Sequence, residues 1–104
     1  MMKMDNKKLK EIEDRCNAAT LGPWVSYIEG RDHSSGSNFI MTGSKETRGE
    51  DIELTGATVA DQDFIAHARQ DIPQLLKEIR ILKNMLSELK QGKRKATKKV
   101  TDHE

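Results

Sequence analysis

Apolar residues recur at alternating intervals of three and four along the second half of the chain. The series comprises Ile65, Ala68, Ile72, Leu75, Ile79, Leu82, Leu86 and Leu89. This spacing is the heptad repeat of a coiled-coil helix, because it keeps one apolar seam on one side of the cylinder. The a positions are Ile72, Ile79 and Leu86, and the d positions are Leu75, Leu82 and Leu89. Mostly β-branched residues at a, with leucine at d, favour a parallel two-stranded coil, so we predict that these six residues form an oligomer interface.

Two further features bear on the predicted assembly. Glu78 at position g can reach Lys83 at position e of a second helix, which is how such pairs select the orientation of a coil. Leu76, Ile81 and Met85 widen the apolar face beyond the seam. A face of this width is typical of a bundle, or of a helix that also packs against its own domain. We therefore expect a homodimer or a higher homo-oligomer.

Capping and breaking residues divide this half of the chain into a short helix and a long one. Thr58 and Asp61 resemble a capping box, which predicts the start of the short helix. Asp71 and Pro73 resemble a second N-cap and first turn, which predicts a break or a kink after residue 70. Gly92 predicts the end of the long helix.

The first half of the chain predicts one helix followed by short strands. Asp5 is expected to cap a helix that runs to about Ala19, and Gly22 with Pro23 is expected to end it. The runs 24–28, 39–42 and 52–55 have the composition or alternation of strands. The predicted fold class is α+β: an N-terminal helix, a small three-stranded antiparallel sheet, a short helix and a long C-terminal coiled-coil-like helix. The predicted domains are a small α+β domain at 1–70, an oligomerisation helix at 71–92 and a basic tail at 93–104.

Composition and the lack of known motifs argue against an enzyme, a metalloprotein or a disulfide-bonded protein. The chain has 104 residues, a net charge of +1 and a single cysteine, Cys16. One cysteine cannot form an internal disulfide, and none of the three histidines stands at a recognised metal-ligand spacing. Phosphate loops and nucleophile motifs are missing from the sequence. We therefore expect no catalytic residues, no metal and no cofactor. Without a secretory or membrane-spanning segment, the expected location is the cytoplasm.

Two polar loops carry groups that bind phosphate or another anion. The first contains Arg31 and His33, and the second contains Ser44, Lys45, Thr47 and Arg48. Hydroxyls, cations and backbone amides beside glycine are the usual ligands of such anions. If both loops leave the same end of the hairpin, they form one cationic mouth. The alternative is a pair of polar turns without a ligand.

Two further residues, Trp24 and Arg69, have either a structural or a ligand-binding interpretation. Trp24 is expected to pack in the core with its indole N–H satisfied, or to serve as a stacking platform for a ligand. Arg69 can bind a carboxylate of a ligand, or one of the protein's own carboxylates. Phe64 and Ile65 are expected to pack against the sheet.

The C-terminal tail has a strong positive charge. Its basic residues are Lys93, Arg94, Lys95, Lys98 and Lys99. Such a cluster predicts salt-sensitive, sequence-independent binding to nucleic acid. The tail has no aromatic residue for base stacking, so a solvated, solubilising tail is the alternative.

Two runs resemble a known family. Residues 17–24 read NAATLGPW, and residues 63–76 read DFIAHARQDIPQLL. Both are similar to hallmarks of small phage and prophage early-region accessory proteins of the Ead/Ea type, with Leu21 where that family usually has proline. The resemblance covers about a third of the chain, and it implies a phage accessory gene in a bacterial host rather than a particular activity.

The resemblance, the seam and the loops lead to one main functional hypothesis. It is a non-enzymatic, oligomeric phage protein that sequesters or inhibits a host component, for example a nucleotide signal of anti-phage defence. One alternative is a nucleic-acid-associated protein that uses the basic tail. Another is a structural adaptor whose helix pairs with a helix of a host protein.

Overall fold

The structure, a computed structural model, describes the backbone of residues 4–102 and the side chains of residues 4–92. Within these residues the elements are helix α1 (Asn6–Ala18), strands β1 (Trp24–Tyr27) and β2 (Phe39–Thr42), and helix α2 (Val59–Asp102). The chain divides into two compact units, Met1–Gln74 and Leu75–Glu104. The predicted α+β class is confirmed, whereas the third strand and the separate short helix are wrong.

Helix α1 begins where its cap was predicted. The Asp5 carboxylate accepts a hydrogen bond from the backbone amide of Lys8 at 2.8 Å, which satisfies one of the free amides of the first turn. The helix ends at Ala18, and Ala19 already has extended backbone. Gly22 and Pro23 therefore shape the connection to β1 rather than the helix terminus. Leu9 is the residue of α1 that is fully buried.

The sheet is a two-stranded antiparallel hairpin in which Trp24 pairs with Thr42 and Tyr27 pairs with Phe39. The predicted strand at 52–55 reduces to one bridge, where the amides and carbonyls of Ile52 and Ile40 bond at 2.8 and 2.9 Å. Pairing stops there because the end of β2 is bonded to the intervening loop. The Thr42 hydroxyl donates to the carbonyl of residue 50, and the Thr42 carbonyl accepts from the amide of residue 49.

Helix α2 begins with the predicted capping box. The Asp61 carboxylate accepts from the Thr58 amide, and the Thr58 hydroxyl accepts from the Asp61 amide, both at 3.0 Å.

The predicted break after residue 70 and the predicted end at Gly92 are wrong, because the helix continues through Pro73 and Gly92 to Asp102. Proline costs about 3 kcal/mol inside a helix. Buried residues on both sides of it, Ala66 and Leu76, stabilise the helical path against that cost. Glycine costs only about 1 kcal/mol, and the lysine, arginine and alanine residues that follow Gly92 favour helix.

One polar side chain fixes α2 to the hairpin. Gln62 is only 3 % exposed, and its amide nitrogen donates to the Ser26 hydroxyl at 3.0 Å, the Tyr27 carbonyl at 3.2 Å and the Phe39 carbonyl at 3.1 Å. With Gln62 and Ala66 buried, the same helix leaves Phe64 75 % exposed. The expectation that Phe64 packs against the sheet is therefore wrong.

We expect Gln62→Leu to lower the free energy of unfolding by about 2–3 kcal/mol, because the variant leaves buried hydrogen-bond acceptors without a donor. Urea unfolding measures the change. Gln91→Leu is the matched control, since Gln91 lies exposed on the same helix, and its effect should stay within about 0.5 kcal/mol. Equal effects of the two substitutions would show that Gln62 does not hold the helix in place.

Candidate functional site

A second glutamine of α2 binds the other end of the hairpin. The Gln70 side-chain oxygen accepts from the Trp24 amide at 2.8 Å, and its nitrogen donates to the Trp24 carbonyl at 3.1 Å. A side-chain amide thus pairs with the backbone as a neighbouring strand would. Gln62 and Gln70 therefore position α2 along the whole length of β1.

Trp24 and Arg69, two predicted ligand-binding residues, lie together. The Trp24 indole nitrogen donates to the Thr20 carbonyl at 3.1 Å, and the Arg69 Nε donates to the same oxygen at 2.9 Å. These bonds satisfy the indole, as predicted for a packed tryptophan. In the described part of the chain, Arg69 forms no ion pair with a carboxylate.

A largely apolar groove of about 240 Å³ lies beside this pair, within the first unit. Helix α1 contributes Ile12, Arg15, Cys16 and Ala19 to its walls. Helix α2 contributes Ile65, Ala68, Arg69 and Ile72, and Trp24 completes the lining. The volume is below the roughly 300 Å³ at which small-molecule pockets begin. The groove therefore fits a single large side chain better than a nucleotide.

Arg31 is engaged by two carboxylates of the protein itself. Its terminal nitrogens donate to both oxygens of Asp63, at 2.7 and 3.0 Å. The same guanidinium donates to Asp32 at 2.8 to 3.1 Å. Two carboxylates offset the single charge of Arg31, so this residue adds little net positive potential for an incoming anion.

These contacts shift the proton equilibria of all three groups. Hydrogen bonds from Arg31 lower the pKa of Asp63 to about 2 and lower the pKa of Asp32 as well. Hydrogen bonds to Asp63 and then Asp32 raise the pKa of Arg31 above its usual value. The cluster is exposed to solvent, where ion pairs contribute little to the free energy of folding. Its main effect is to hold the first loop, through Arg31, against Asp63 of α2.

His33 lies inward from the same loop and packs against aromatic rings. Its ring centroid is 5.1 Å from that of Phe39 and 6.2 Å from that of Tyr27. Its Nδ1 accepts from the Ser35 amide at 3.1 Å and lies 2.6 Å from the Ser35 hydroxyl. The Nε2 atom is buried and has no hydrogen-bond partner among the described residues. The geometry is that of a packing residue rather than of a ligand-facing one.

The second loop forms a closed turn. The Ser44 and Thr47 hydroxyls lie 2.8 Å apart, and the Thr47 amide donates to Ser44. Gly43 has a φ of +82°, and a Cβ there would overlap the carbonyl of Thr47. Arg48 pairs with Asp51 at 2.6 Å, while Lys45 is exposed. The hydroxyls and the arginine therefore stabilise the turn itself.

The two loops leave opposite ends of the hairpin. The first connects Tyr27 to Phe39, which are paired, and the second begins after Thr42, which pairs with Trp24 at the other end. Four strand residues separate the two ends, about 10 Å at the usual rise. The structure therefore does not bring the loop cations together into one mouth.

The predicted seam residues are mostly exposed. Leu75, Leu82, Leu86 and Leu89 are 53 to 70 % exposed, Ile72 is 39 % exposed and Ile79 is partly buried. The five basic tail residues, Lys93, Arg94, Lys95, Lys98 and Lys99, lie outside the side chains that the structure describes.

The residues that position this region, Gln62, Gln70 and Asp63, were not predicted as contacts. Their partners lie 23 to 46 residues away in the chain, so no local pattern identifies them. The helical spacing of residues 62, 66 and 70 does place both glutamines on the same face of α2 as Ala66, but it does not identify their partners.

Comparisons with protein-family models, with curated proteins and with solved structures found no match to this chain. The resemblance to phage proteins of the Ead/Ea type therefore stays a prediction.

Among the described residues, no group of three or more His, Cys, Asp or Glu side chains is placed to hold a metal ion. No helix in that part of the chain is both long and apolar enough to cross a bilayer.

We expect the Arg31–Asp63 contact to make stability depend on pH. Folding lowers the pKa of Asp63 from its usual 3.8 to about 2, so its stabilisation is complete above about pH 5 and is lost as the pH falls through 2. Urea midpoints measured from pH 6 to pH 2 should fall less steeply for Asp63→Asn and for Arg31→Gln than for the parent protein. An unchanged slope in both variants would show that the contact does not form in solution.

Proposed function

We propose that this protein is a non-enzymatic binding module that works as a homo-oligomer through α2. The observation that carries the proposal is the exposure of the leucines on α2, which form a regular heptad seam. A stripe of this kind on a water-soluble surface is usually covered by another helix. The buried apolar residues of the described chain are Leu9, Ile28, Ile40, Ala66 and Leu76. A core this small gains stability from association.

The partner outside the oligomer is proposed from the family resemblance. A phage accessory protein acts in the bacterial cytoplasm, where sequestering or inhibiting a host component is a non-enzymatic role. An assembled module displays each of its surfaces more than once, which raises its effective affinity for a multivalent target. A host protein helix that takes the place of a second α2 is the adaptor form of the same proposal.

A nucleotide target has less support than a protein target. Arg31 and Arg48 are paired with carboxylates, and the two loops lie at opposite ends of the hairpin. The groove is also small for a nucleotide. The nucleic-acid alternative rests on the composition of the tail alone.

We expect the double substitution Ile79→Glu and Leu82→Glu to dissociate the oligomer, because it places charges in the apolar seam. Light scattering on a sizing column should report a mass near 11.8 kDa, that of one chain, where the parent protein shows a multiple of it.

The matched control is Asn84→Glu with Ser87→Glu. It adds the same charge to exposed positions of the same helix, outside positions a and d. This variant should keep the mass of the parent oligomer. A single-chain mass for the parent protein itself, at concentrations up to about 100 μM, would refute the proposal.

A further inference from the structure

Phe64 is a large apolar side chain that the fold leaves exposed on α2. Phe64 is 75 % exposed, the largest fraction among the exposed large apolar side chains of the described chain. Isolated apolar residues on a surface are common, but an aromatic ring that protrudes this far is typical of an interface anchor. Phe64 belongs to the first unit, as do all the residues that line the groove.

The heptad register extends upstream of Pro73 because α2 is one continuous helix. Counting back from Ile72 at position a places Ala68 at d, Ile65 at a and Phe64 at g. Arg69 then stands at e. In a parallel coil, a g residue of one helix lies across from the e residue five positions later in the other. Phe64 of one copy therefore faces Arg69 of a second copy.

The groove has the volume and the apolar lining to receive this ring. Its α2 wall consists of Ile65, Ala68, Arg69 and Ile72, the residues that surround an e position on the coil side of the helix. A volume of about 240 Å³ accommodates one aromatic side chain. Arg69 uses its Nε for the Thr20 carbonyl, which leaves the planar end of the guanidinium available to stack on an aromatic face.

Charge complementarity selects a second copy in the parallel orientation as the occupant. An antiparallel pair would oppose e positions, which include Arg69, Lys83 and Lys90, and would oppose g positions, which include Asp71 and Glu78. A parallel pair instead sets g against e, so that Glu78 meets Lys83 and the Phe64 ring meets the Arg69 cation. The other two pairs, Asp71 with Leu76 and Met85 with Lys90, place no like charges together.

We propose that Phe64 of each copy docks into the α1–α2 groove of the other, so that the groove is complete only in the dimer. The contact is reciprocal, as a two-fold interface requires. It rests on the proposed self-association of α2, and it adds a second contact region to the leucine seam. The groove residues contributed by α1, Ile12, Cys16 and Ala19, become part of the interface.

The position of Cys16 in the groove allows a direct test by cross-linking. Wild-type chains carry Cys16 as their only cysteine. They are mixed with tagged chains that carry Phe64→Cys and Cys16→Ser, and subunits are allowed to exchange between dimers. The mixture is then oxidised with copper phenanthroline. We expect a disulfide between Cys16 of one chain and the new cysteine at 64 of the other, identified by peptide mapping.

The matched control carries Val59→Cys with Cys16→Ser. Val59 is also exposed on α2, but it occupies position b, away from the seam. The proposal is overturned if cross-linking through position 59 equals that through position 64 while light scattering still shows a dimer. A single-chain mass in that measurement would instead refute the proposed self-association, so the two failures are distinguishable.

Fluorescence provides a second readout that needs no new cysteine. Trp24 is the only tryptophan and lines the groove, so its emission should shift to the red when the parent dimer is diluted to monomer. Phe64→Ala should raise the dissociation constant by about tenfold or more, whereas Val59→Ala should change it by less than about threefold. Equal constants for the two variants would also overturn the proposal.

Discussion

Two glutamine side chains hold α2 against the backbone of the β-hairpin, and the rest of the first unit depends on that attachment. Gln62 donates to the carbonyls of Tyr27 and Phe39, and Gln70 bonds both the amide and the carbonyl of Trp24. The hairpin has only four residues a strand, so it is not stable by itself. The glutamines give it the partner that a third strand would have supplied, and they do so with few buried apolar residues.

The same attachment determines what α2 leaves exposed. With Gln62 and Ala66 buried against the hairpin, Phe64 protrudes and Ile65, Ala68 and Ile72 line the groove beside α1. The apolar core of the described residues is small, and most of the large apolar side chains along α2 stay exposed. The same helix thus attaches to the hairpin and presents an apolar surface, which supports association as the proposed mode of action.

Local signals in the sequence predicted local structure well. The Asp5 cap, the Thr58–Asp61 capping box and the hairpin all depend on residues close together in the chain. The break at Pro73 was predicted wrongly because burial of Ala66 and Leu76 outweighs the proline penalty. The candidate site was harder to predict, since a loop sequence reveals the charge of Arg31 but not Asp63, which is 32 residues away and pairs with it. Two of the cations identified from composition, Arg31 and Arg48, are therefore already paired with carboxylates in the fold.

Parallel pairing of α2 is the central claim, and distances between spin labels test it most directly. Labels are attached at Val59 or at Ser87, near opposite ends of the part of α2 whose side chains the structure describes, in a Cys16→Ser background. For a parallel coil with helix axes 8–10 Å apart, both positions should give inter-chain distances of about 20–30 Å. The two positions lie about 42 Å apart along the helix at the usual rise, so in an antiparallel pair at least one of them would give an inter-chain distance of about 40 Å or more. Such a long distance would contradict parallel pairing, and the absence of any inter-chain distance at about 100 μM protein would show that α2 does not pair with itself.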